Sequence, residues 1–209
     1  IVEGQAQLHD AAALWGHDTY ATQDLVRQAL GEPKARVACI GPAGEHLAKM
    51  AAVVNDHGRV AGRTGLGAVM GSKKLKAVAA RGRASVPVAD PLALKTTVRE
   101  IMVRLKDDMA ATALRMAGTA GYVDMALMFG DMPIRYYQVG EWEPGSDLSG
   151  VLLAEQYQNR NVGCYRCPIA CGRETRAPGL GVSKVDGPEY ETLGAFGSLM
   201  QVSDLESVI

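Results

Sequence analysis

Apolar residues recur every three or four positions along the stretch that follows Asp90, with lysine and arginine side chains between them. This spacing places the apolar residues on one face of a helix. Asp90 is a residue type that caps helix N-termini, and Pro91 suits the first helical position, so an amphipathic helix is predicted to begin there. Helical structure is also predicted for the ranges 17–30, 111–129 and 154–160.

Short apolar runs predict strands in the first part of the chain. Residues 36–40 and 75–81 have this pattern, and a glycine-rich stretch, 58–67, lies between them. Residues 47–54 are apolar but fit a helix and a strand equally well. The mixture predicts an α+β chain, with a boundary near Pro87.

Composition and charge exclude several classes of protein. The chain has 209 residues, of which 47% are hydrophobic and 22% are charged, as in an ordinary globular protein. Its formal net charge is -1, which gives no electrostatic reason to expect nucleic acid as a partner. The first residues, IVEGQAQLHD, are not typical of a signal peptide, and no apolar run approaches the roughly 18 residues needed to span a membrane.

Two features near the ends of the sequence lead us to expect a piece of a longer protein. Residue 1 is isoleucine rather than methionine. Ser203 and Glu206 have the spacing of a capping box, which predicts a helix that starts there. The chain ends at Ile209, before this helix has completed a second turn.

Three of the four cysteines form the pattern C-x2-C-x3-C, at Cys164, Cys167 and Cys171. Thiolates at this spacing on a short loop can bind a metal centre, and the spacing favours a [4Fe–4S] cluster over zinc. Either centre takes four ligands, so zinc would need His46 or His57, and a cluster would need a ligand outside the chain. Three unliganded thiols are the remaining alternative.

The stretch GRVAGRTGLGAVMGSKKLKAV combines closely spaced glycines with Arg59 and Arg63. Glycine lets main-chain N–H groups approach an oxyanion, and arginine can bind phosphate through two hydrogen bonds. A tight turn packed against a sheet is an equally good interpretation, because the order of the glycines is that of neither a Walker loop nor a dinucleotide fingerprint. Lys73, Lys74 and Lys76 are interpreted as a solvated face.

Two longer segments together resemble the aldehyde:ferredoxin oxidoreductase family. The first, ARVACIGPAGEHLAKMAAVVNDHGRVAGRTGLGAVMGSKKLKAVAARG, is similar to the tungstopterin-binding region of that family. The second, CYRCPIACGRET followed by GPEYETLGAFGS, is similar to its iron–sulfur loop and the segment after it. The order and separation match the family, and the resemblance extends from Val2 to Ile209.

The resemblance implies a tungsten atom, or molybdenum, held between two pterin dithiolenes, with a [4Fe–4S] cluster close by. It implies that Arg59, Gly62 and Arg63 contact pterin phosphate and the Mg²⁺ ion that bridges the phosphates. Val60 would act through its backbone carbonyl. The residues that match three of the family's four cluster ligands are Cys164, Cys167 and Cys171.

The family oxidises aldehydes to carboxylic acids and passes two electrons through the cluster to ferredoxin. The resemblance therefore implies an aldehyde substrate and ferredoxin, or another electron-transfer protein, as partner. Glu191, in PEYET, matches a carboxylate near the metal, where it would orient or deprotonate the water that attacks the aldehyde carbon. A structural hydrogen-bonding role is the alternative for Glu191, and Glu189 is interpreted as structural or solvated.

The same resemblance implies a division of the chain. Residues 1–89 would be part of the sheet-rich base domain that supports the pterins, and residues 90–209 would begin the helical domain that carries the cluster loop. The family's fourth cluster cysteine and the histidine paired with its catalytic carboxylate are not in this sequence, and Thr64 replaces a common glycine. We therefore expect the 209 residues to be inactive without the remaining segments of the parent enzyme.

The expected setting is a reducing, anaerobic cytoplasm, because the thiolates of an iron–sulfur loop need reducing conditions. A homodimer is an assembly that the resemblance allows. Three alternatives stay open from the sequence: another tungsten-enzyme reaction such as benzoyl-CoA reduction, an inactive iron–sulfur or structural fragment of a split protein, and a zinc-binding scaffold.

Overall fold

The computed structural model of the chain describes residues 1–56 and 58–209, so His57 lies outside the described residues. The chain forms two compact units, Ile1–Pro87 and Val88–Ile209. Each unit has its own small antiparallel sheet. The predicted α+β class is confirmed.

The first unit contains a four-stranded sheet in the order β3-β2-β1-β4, with antiparallel neighbours. Its strands are β1 (Arg36–Cys39), β2 (Val53–Asn55), β3 (Arg59–Ala61) and β4 (Ala77–Ala80). Its helices are α1 (Thr19–Leu30), α2 (Pro42–Glu45) and α3 (Leu66–Ser72), with a 3-10 turn at Ala12–Leu14. Helix α1 packs on β1, so that Val26, Val37 and Cys39 form a small buried core.

The ends of α1 follow from its sequence. The carboxylate of Asp18 accepts a hydrogen bond from the N–H of Ala21 at 2.8 Å and so satisfies a donor that the first turn leaves free. Gly31 ends the helix at φ +63°, a left-handed conformation that glycine adopts without a steric penalty.

A buried ion pair joins the end of α2 and the residue before β4 to the turn before α1. Lys76 is only 1% exposed, and its Nζ donates to Glu45 Oε1 at 2.5 Å and to the carbonyl oxygen of His17 at 2.8 Å. The Glu45 carboxylate also accepts from the N–H of Gly16, at 2.9 and 3.0 Å. The interpretation of Lys76 as a solvated side chain was wrong, whereas Lys73 and Lys74 are exposed.

The second unit combines helices with a three-stranded sheet, β5-β6-β7. The strands are β5 (Gln158–Val162), β6 (Gly172–Ala177) and β7 (Val182–Asp186). The helices are α4 (Pro91–Asp107), α5 (Met109–Ala117), α6 (Tyr122–Phe129), α7 (Gly150–Leu152), α8 (Tyr190–Thr192) and α9 (Leu205–Val208). Two π-helical segments, Leu153–Tyr157 and Leu193–Ser198, continue α7 and α8, and 3-10 turns occur at Thr119–Gly121, Ile134–Tyr137, Glu143–Leu148 and Pro178–Leu180.

The core of this unit is apolar and lies among α6, α7 and the segment after α8. Its fully buried side chains include Val123, Ile134, Leu148, Leu153 and Leu193. Helix α4 contributes little to it, because its residues remain exposed along both faces.

Several predicted elements are confirmed and two need correction. Helix α4 begins as predicted, with the Asp90 carboxylate accepting from the N–H groups of Leu92 and Ala93. The helix predicted at 154–160 is wrong in its second half, where β5 begins at Gln158. The residue that caps α9 is Asp204 rather than Ser203, because its carboxylate accepts from Ser207.

Among residues 1–56 and 58–209, every helix is too short or too polar to cross a membrane.

Candidate functional site

The predicted pterin-contacting residues lie on one exposed segment of the first unit. Arg59 and Val60 belong to β3, which is an edge strand paired with β2 through Val60 and Val54. Gly62 and Arg63 follow directly, and all four residues are exposed. An edge strand leaves some of its main-chain groups unpaired by the sheet, so a main-chain carbonyl and two arginine cations are presented together.

The glycines of this stretch lie in two different surroundings. A Cβ on Gly67 would lie 2.6 Å from the carbonyl oxygen of Ala52, and one on Gly71 would lie 1.9 Å from that of Gly44. These glycines are required for the close packing of α3 on α2 and on the segment before β2. A Cβ on Gly62 would instead meet only the Val60 side chain, at 3.6 Å, so the space beside the arginines is open. Packing and ligand binding are therefore both compatible with this stretch, at different positions.

The three clustered cysteines lie on the loop that joins β5 to β6. Cys164 is exposed, whereas Cys167 and Cys171 are half-buried. The N–H of Cys167 donates to the carbonyl oxygen of Cys164 at 3.0 Å, and Arg166 and Ala170 have positive φ values of 55° and 51°. The loop is therefore tightly turned.

The loop fits a cluster by its donor chemistry rather than as a preformed site for one ion. Thiolates are the usual ligands of iron–sulfur clusters, and each binds its own iron atom. Across residues 1–56 and 58–209, no three His, Cys, Asp or Glu side chains lie close enough together to hold a single metal ion. The zinc alternative that uses His46 is thus unsupported, and the one that uses His57 lies outside the described residues.

An arginine that the sequence analysis did not single out holds this loop. Arg173, the second residue of β6, is 2% exposed. Its guanidinium donates to the carbonyl oxygens of Cys171 at 3.2 Å and Gly172 at 3.0 Å. Burial lowers the pKa of Arg173, while Glu189 and Cys171 act to raise it.

The sequence offered little signal for this arrangement. Strand β6 is buried at nearly every position although it contains Arg173, Glu174 and Thr175, so a search for apolar residues passes over it. The one available hint was the position of an arginine two residues after the last cysteine of the motif.

A pocket of about 900 Å³ opens in the second unit. Its walls come from α5, the turn Thr119–Gly121, α6, the helical segment around Ala154 and α8. Most lining side chains are apolar, among them Leu114, Met116 and Met125. This size and lining are typical of a small-molecule site.

Glu191 lies on the wall of this pocket and is exposed. Glu155 is the other acid on the wall, and the described lining residues include neither lysine nor arginine. The neighbouring Glu189 is half-buried and accepts a hydrogen bond from the Thr119 hydroxyl, whose oxygen in turn accepts from the N–H of Tyr190 at 3.0 Å. Glu189 is thus held in the wall, while Glu191 is open to a ligand.

Two tyrosines close one side of the pocket. The rings of Tyr122 and Tyr190 meet edge to face, with centroids 5.0 Å apart. The Tyr122 hydroxyl donates to Asp131 at 2.7 Å, and this hydrogen bond raises the pKa of Tyr122. Burial raises the pKa of Tyr190. Both phenols are therefore protonated at neutral pH.

The thiol loop and the pocket with a carboxylate in the second unit, and the exposed arginine–glycine segment in the first, are each typical of proteins that bind a metal cofactor and a small organic molecule. Comparison with known families gives the family itself. Residues 1–82 match "Aldehyde ferredoxin oxidoreductase, N-terminal domain" and residues 96–209 match "Aldehyde ferredoxin oxidoreductase, domains 2 & 3". The chain belongs to the aldehyde ferredoxin oxidoreductase family, as the sequence analysis expected.

Individual relatives give the same result. The chain is 42% identical to the tungsten-containing aldehyde ferredoxin oxidoreductase of Thermococcus kodakarensis and 41% identical to that of Pyrococcus furiosus, in both cases over 100% of this chain and 34% of the relative. It therefore spans about a third of the length of these curated relatives.

A solved structure is also similar. It is the active site complex BamBC of benzoyl coenzyme A reductase in complex with 1,5-dienoyl-CoA, with a TM-score of 0.70 and 27% sequence identity. The match covers 95% of this chain and 31% of the solved chain.

Proposed function

We propose that the protein containing this chain oxidises aldehydes to carboxylic acids at a tungsten, or molybdenum, bis-pterin centre. The electrons would leave through a [4Fe–4S] cluster to ferredoxin or another electron-transfer protein. The observation that carries the proposal is the pocket of the second unit, which is apolar apart from a few polar groups and has Glu191 on its wall. Family membership and the names of the relatives support the reaction class.

The pocket lining favours an uncharged aldehyde. Alanine, leucine and methionine side chains would bury the hydrocarbon part of the substrate, with a favourable free energy that grows with the apolar area removed from water. With two acids on the described wall and no basic residue, an anionic substrate would be repelled rather than bound.

The role proposed for Glu191 is that of a base toward water. Oxidation of an aldehyde to a carboxylic acid adds one oxygen atom from water and releases two electrons and two protons. A group near the carbonyl carbon must therefore accept a proton from the attacking water. A carboxylate within hydrogen-bond reach of that water can do so. The metal–pterin group, when bound, supplies the two-electron oxidation itself.

Arg59, Gly62 and Arg63 are proposed to hold the pterin phosphates, and Val60 to provide a carbonyl oxygen toward the bridging Mg²⁺. Carbonyl oxygen is a suitable ligand for this hard cation, and arginine binds phosphate through paired hydrogen bonds. Their exposure on one segment supports this assignment.

Cys164, Cys167 and Cys171 are proposed as cluster ligands, together with a fourth ligand that this chain does not supply. Such thiolates persist in a reducing environment, which supports the expectation of an anaerobic cytoplasm. Benzoyl-CoA reduction is less favoured, since the relatives at 39–42% identity are named as aldehyde ferredoxin oxidoreductases and the reductase structure is 27% identical.

The experiment that tests the proposal combines metal analysis with two matched variants of the full-length holoenzyme. Glu191→Gln is expected to lower kcat for an uncharged aldehyde by about 10²–10⁴-fold with tungsten and iron contents unchanged, because general-base catalysis is lost. Glu155→Gln removes the other wall acid and is expected to change kcat by less than about tenfold. Activity of Glu191→Gln at the unmodified level, or a protein that binds neither tungsten nor molybdenum, would refute the proposal.

A further inference from the structure

A buried cation lies directly against the cysteine loop. Arg173 follows Cys171 by two residues in the sequence, and only 2% of its surface is exposed to solvent. Burying an arginine costs several kcal/mol unless its N–H donors are satisfied. The acceptors of its hydrogen bonds therefore indicate which segments the side chain stabilises.

The acceptors of Arg173 are main-chain carbonyl oxygens from two separate segments. On the cysteine loop, Nη1 donates to Ala170 at 3.3 Å and to Cys171 at 3.2 Å. On the last turn of α5, Nη2 donates to Leu114 at 3.2 Å and to Arg115 at 2.9 Å. The side chain therefore ties the backbone beside Cys171 to the end of a helix.

Two neighbouring groups tighten this junction. The Asn161 side-chain amide donates to the carbonyl oxygens of Arg115 at 2.6 Å and Ala170 at 3.3 Å, which are also acceptors of Arg173. A Cβ on Gly118 would lie 2.6 Å from the carbonyl oxygen of Cys171 and 3.4 Å from the guanidinium carbon of Arg173. The loop backbone at Cys171 thus has little freedom to move.

In the part of the chain that the structure describes, no carboxylate lies in direct contact with Arg173, and Glu189 acts on its charge only from a distance. Within the described residues, Arg173 forms no ion pair and its buried Nε lacks a hydrogen-bond acceptor. Carbonyl oxygens satisfy the other donors but carry no net charge. A positive charge therefore remains beside a loop whose three thiolates are negative when they bind iron.

We propose that Arg173 is a positioning residue for the cluster, which fixes the main chain at Cys171 and whose charge stabilises the reduced cluster. The inference rests on the proposed function, since it needs a cluster on Cys164, Cys167 and Cys171. Cluster potentials depend on nearby charge and hydrogen bonds, and an added electron is stabilised by a cation. Loss of the charge makes the cluster harder to reduce.

The test uses the full-length holoenzyme and measures the cluster midpoint potential by electron paramagnetic resonance during a redox titration. Arg173→Met is expected to shift the reduction equilibrium at least tenfold toward the oxidised cluster, which is about 59 mV for one electron. Arg173→Lys keeps the charge and is expected to stay near the unmodified potential. Arg176→Met is the matched control, because Arg176 also donates to main-chain carbonyls, those of Gln156 and Gln158, but lies farther along β6.

The positioning role has its own measurement. Arg173→Lys cannot satisfy the same set of carbonyls, so it is expected to lose iron to a chelator about tenfold faster than Arg176→Lys. If Arg173→Met fails to fold, this comparison decides the question, and equal rates of iron loss overturn the proposal. An unchanged potential in a folded Arg173→Met also overturns it. An unmodified holoenzyme without any cluster refutes the proposed function as well, whereas an intact cluster with unaffected variants refutes the role of Arg173 alone.

Discussion

Lys76 in the first unit and Arg173 in the second are both buried, but their surroundings compensate them differently. Lys76 lies against the carboxylate of Glu45, so cation and anion cancel locally. Arg173 lies among carbonyl oxygens, which satisfy hydrogen bonds and leave the charge in place. Lys76 therefore stabilises the fold of its unit, whereas the charge of Arg173 remains available to a negatively charged group.

The difference shows that the role of a buried cation can be inferred from the charge of its hydrogen-bond partners. When its partner is a carboxylate, the pair is complete and needs no further ligand. When its partners are neutral and one donor is left without an acceptor, as at Arg173 Nε, the surroundings suit an anion that the chain alone does not supply. The contact between Arg173 and the Cys171 carbonyl is the basis for proposing a cluster on the cysteine loop as that anion.

Removing Lys76 is expected to have the largest effect on stability. Lys76→Met leaves Glu45 buried without its cation, and breaking a buried pair from one side costs about 3–5 kcal/mol. Urea unfolding, followed by a probe in the first unit, measures this loss.

The matched control for this prediction is the double variant Lys76→Met with Glu45→Gln, which removes both charges while a side-chain oxygen can still accept from Gly16. It is expected to recover about half of the loss, because no unpaired charge stays buried. A single variant that loses less than about 1 kcal/mol would show that the pair is not a structural element.

Gly118→Ala is expected to have the next largest effect, because it acts on the carbonyls around Arg173. Gly118 has φ +64° and ψ -161°, a conformation almost restricted to glycine, and its Cβ would meet the Cys171 carbonyl. We expect a loss of about 2–3 kcal/mol in urea unfolding and faster loss of iron from the loop.

Gly130→Ala separates the backbone conformation from the collision. Gly130 also ends a helix at a positive φ, +70°, but a Cβ there would have open space within 4 Å. Its expected cost is about 1 kcal/mol, with no change in iron retention. Equal effects of the two variants would mean that the contact with Cys171 is unimportant.

The sequence predicted the elements whose causes are local. Helix α4 begins where Asp90 and Pro91 predicted, and helix α1 ends where Gly31 predicted. Both boundaries depend only on residues within one turn of the helix end. The capping box at Ser203 failed because Asp204, one residue later, offers a carboxylate that reaches Ser207. A one-residue difference of this kind depends on backbone geometry that spacing does not specify.

The buried cations could not be predicted because their partners are distant in the chain. Lys76 bonds to His17, 59 residues earlier, and Arg173 bonds to Leu114, also 59 residues earlier. For the candidate site, motif spacing pointed to the cysteines and the resemblance to the family pointed to Glu191. The pocket around Glu191 depends on the three-dimensional packing of α5 and α8.

Lowering the pH is expected to have the smallest effect on stability. It distinguishes Lys76, which is compensated by a carboxylate that can be protonated, from Arg173, which is bonded to carbonyl oxygens. Burial acts to raise the pKa of Glu45, but the hydrogen bonds from Lys76 and Gly16 outweigh it and hold the pKa below the ordinary value of 4.5. A depressed pKa in the folded state means that the pair contributes its full stability above the unfolded value and loses it as pH falls through the folded value.

The stability of the first unit should therefore decline when the pH is lowered below about 4.5, and Glu45→Gln should remove that part of the decline. The control has to be this variant rather than the second unit, because Arg160 also lowers the pKa of Glu174 there. Hydrogen exchange at the Gly16 N–H, which donates to Glu45, reports the pair directly. If acid lowers the protection of the Gly16 N–H equally in the unmodified protein and in Glu45→Gln, the carboxylate does not compensate Lys76. The guanidinium of Arg173, by contrast, stays charged throughout this pH range, so its hydrogen bonds to carbonyl oxygens are expected to persist in acid.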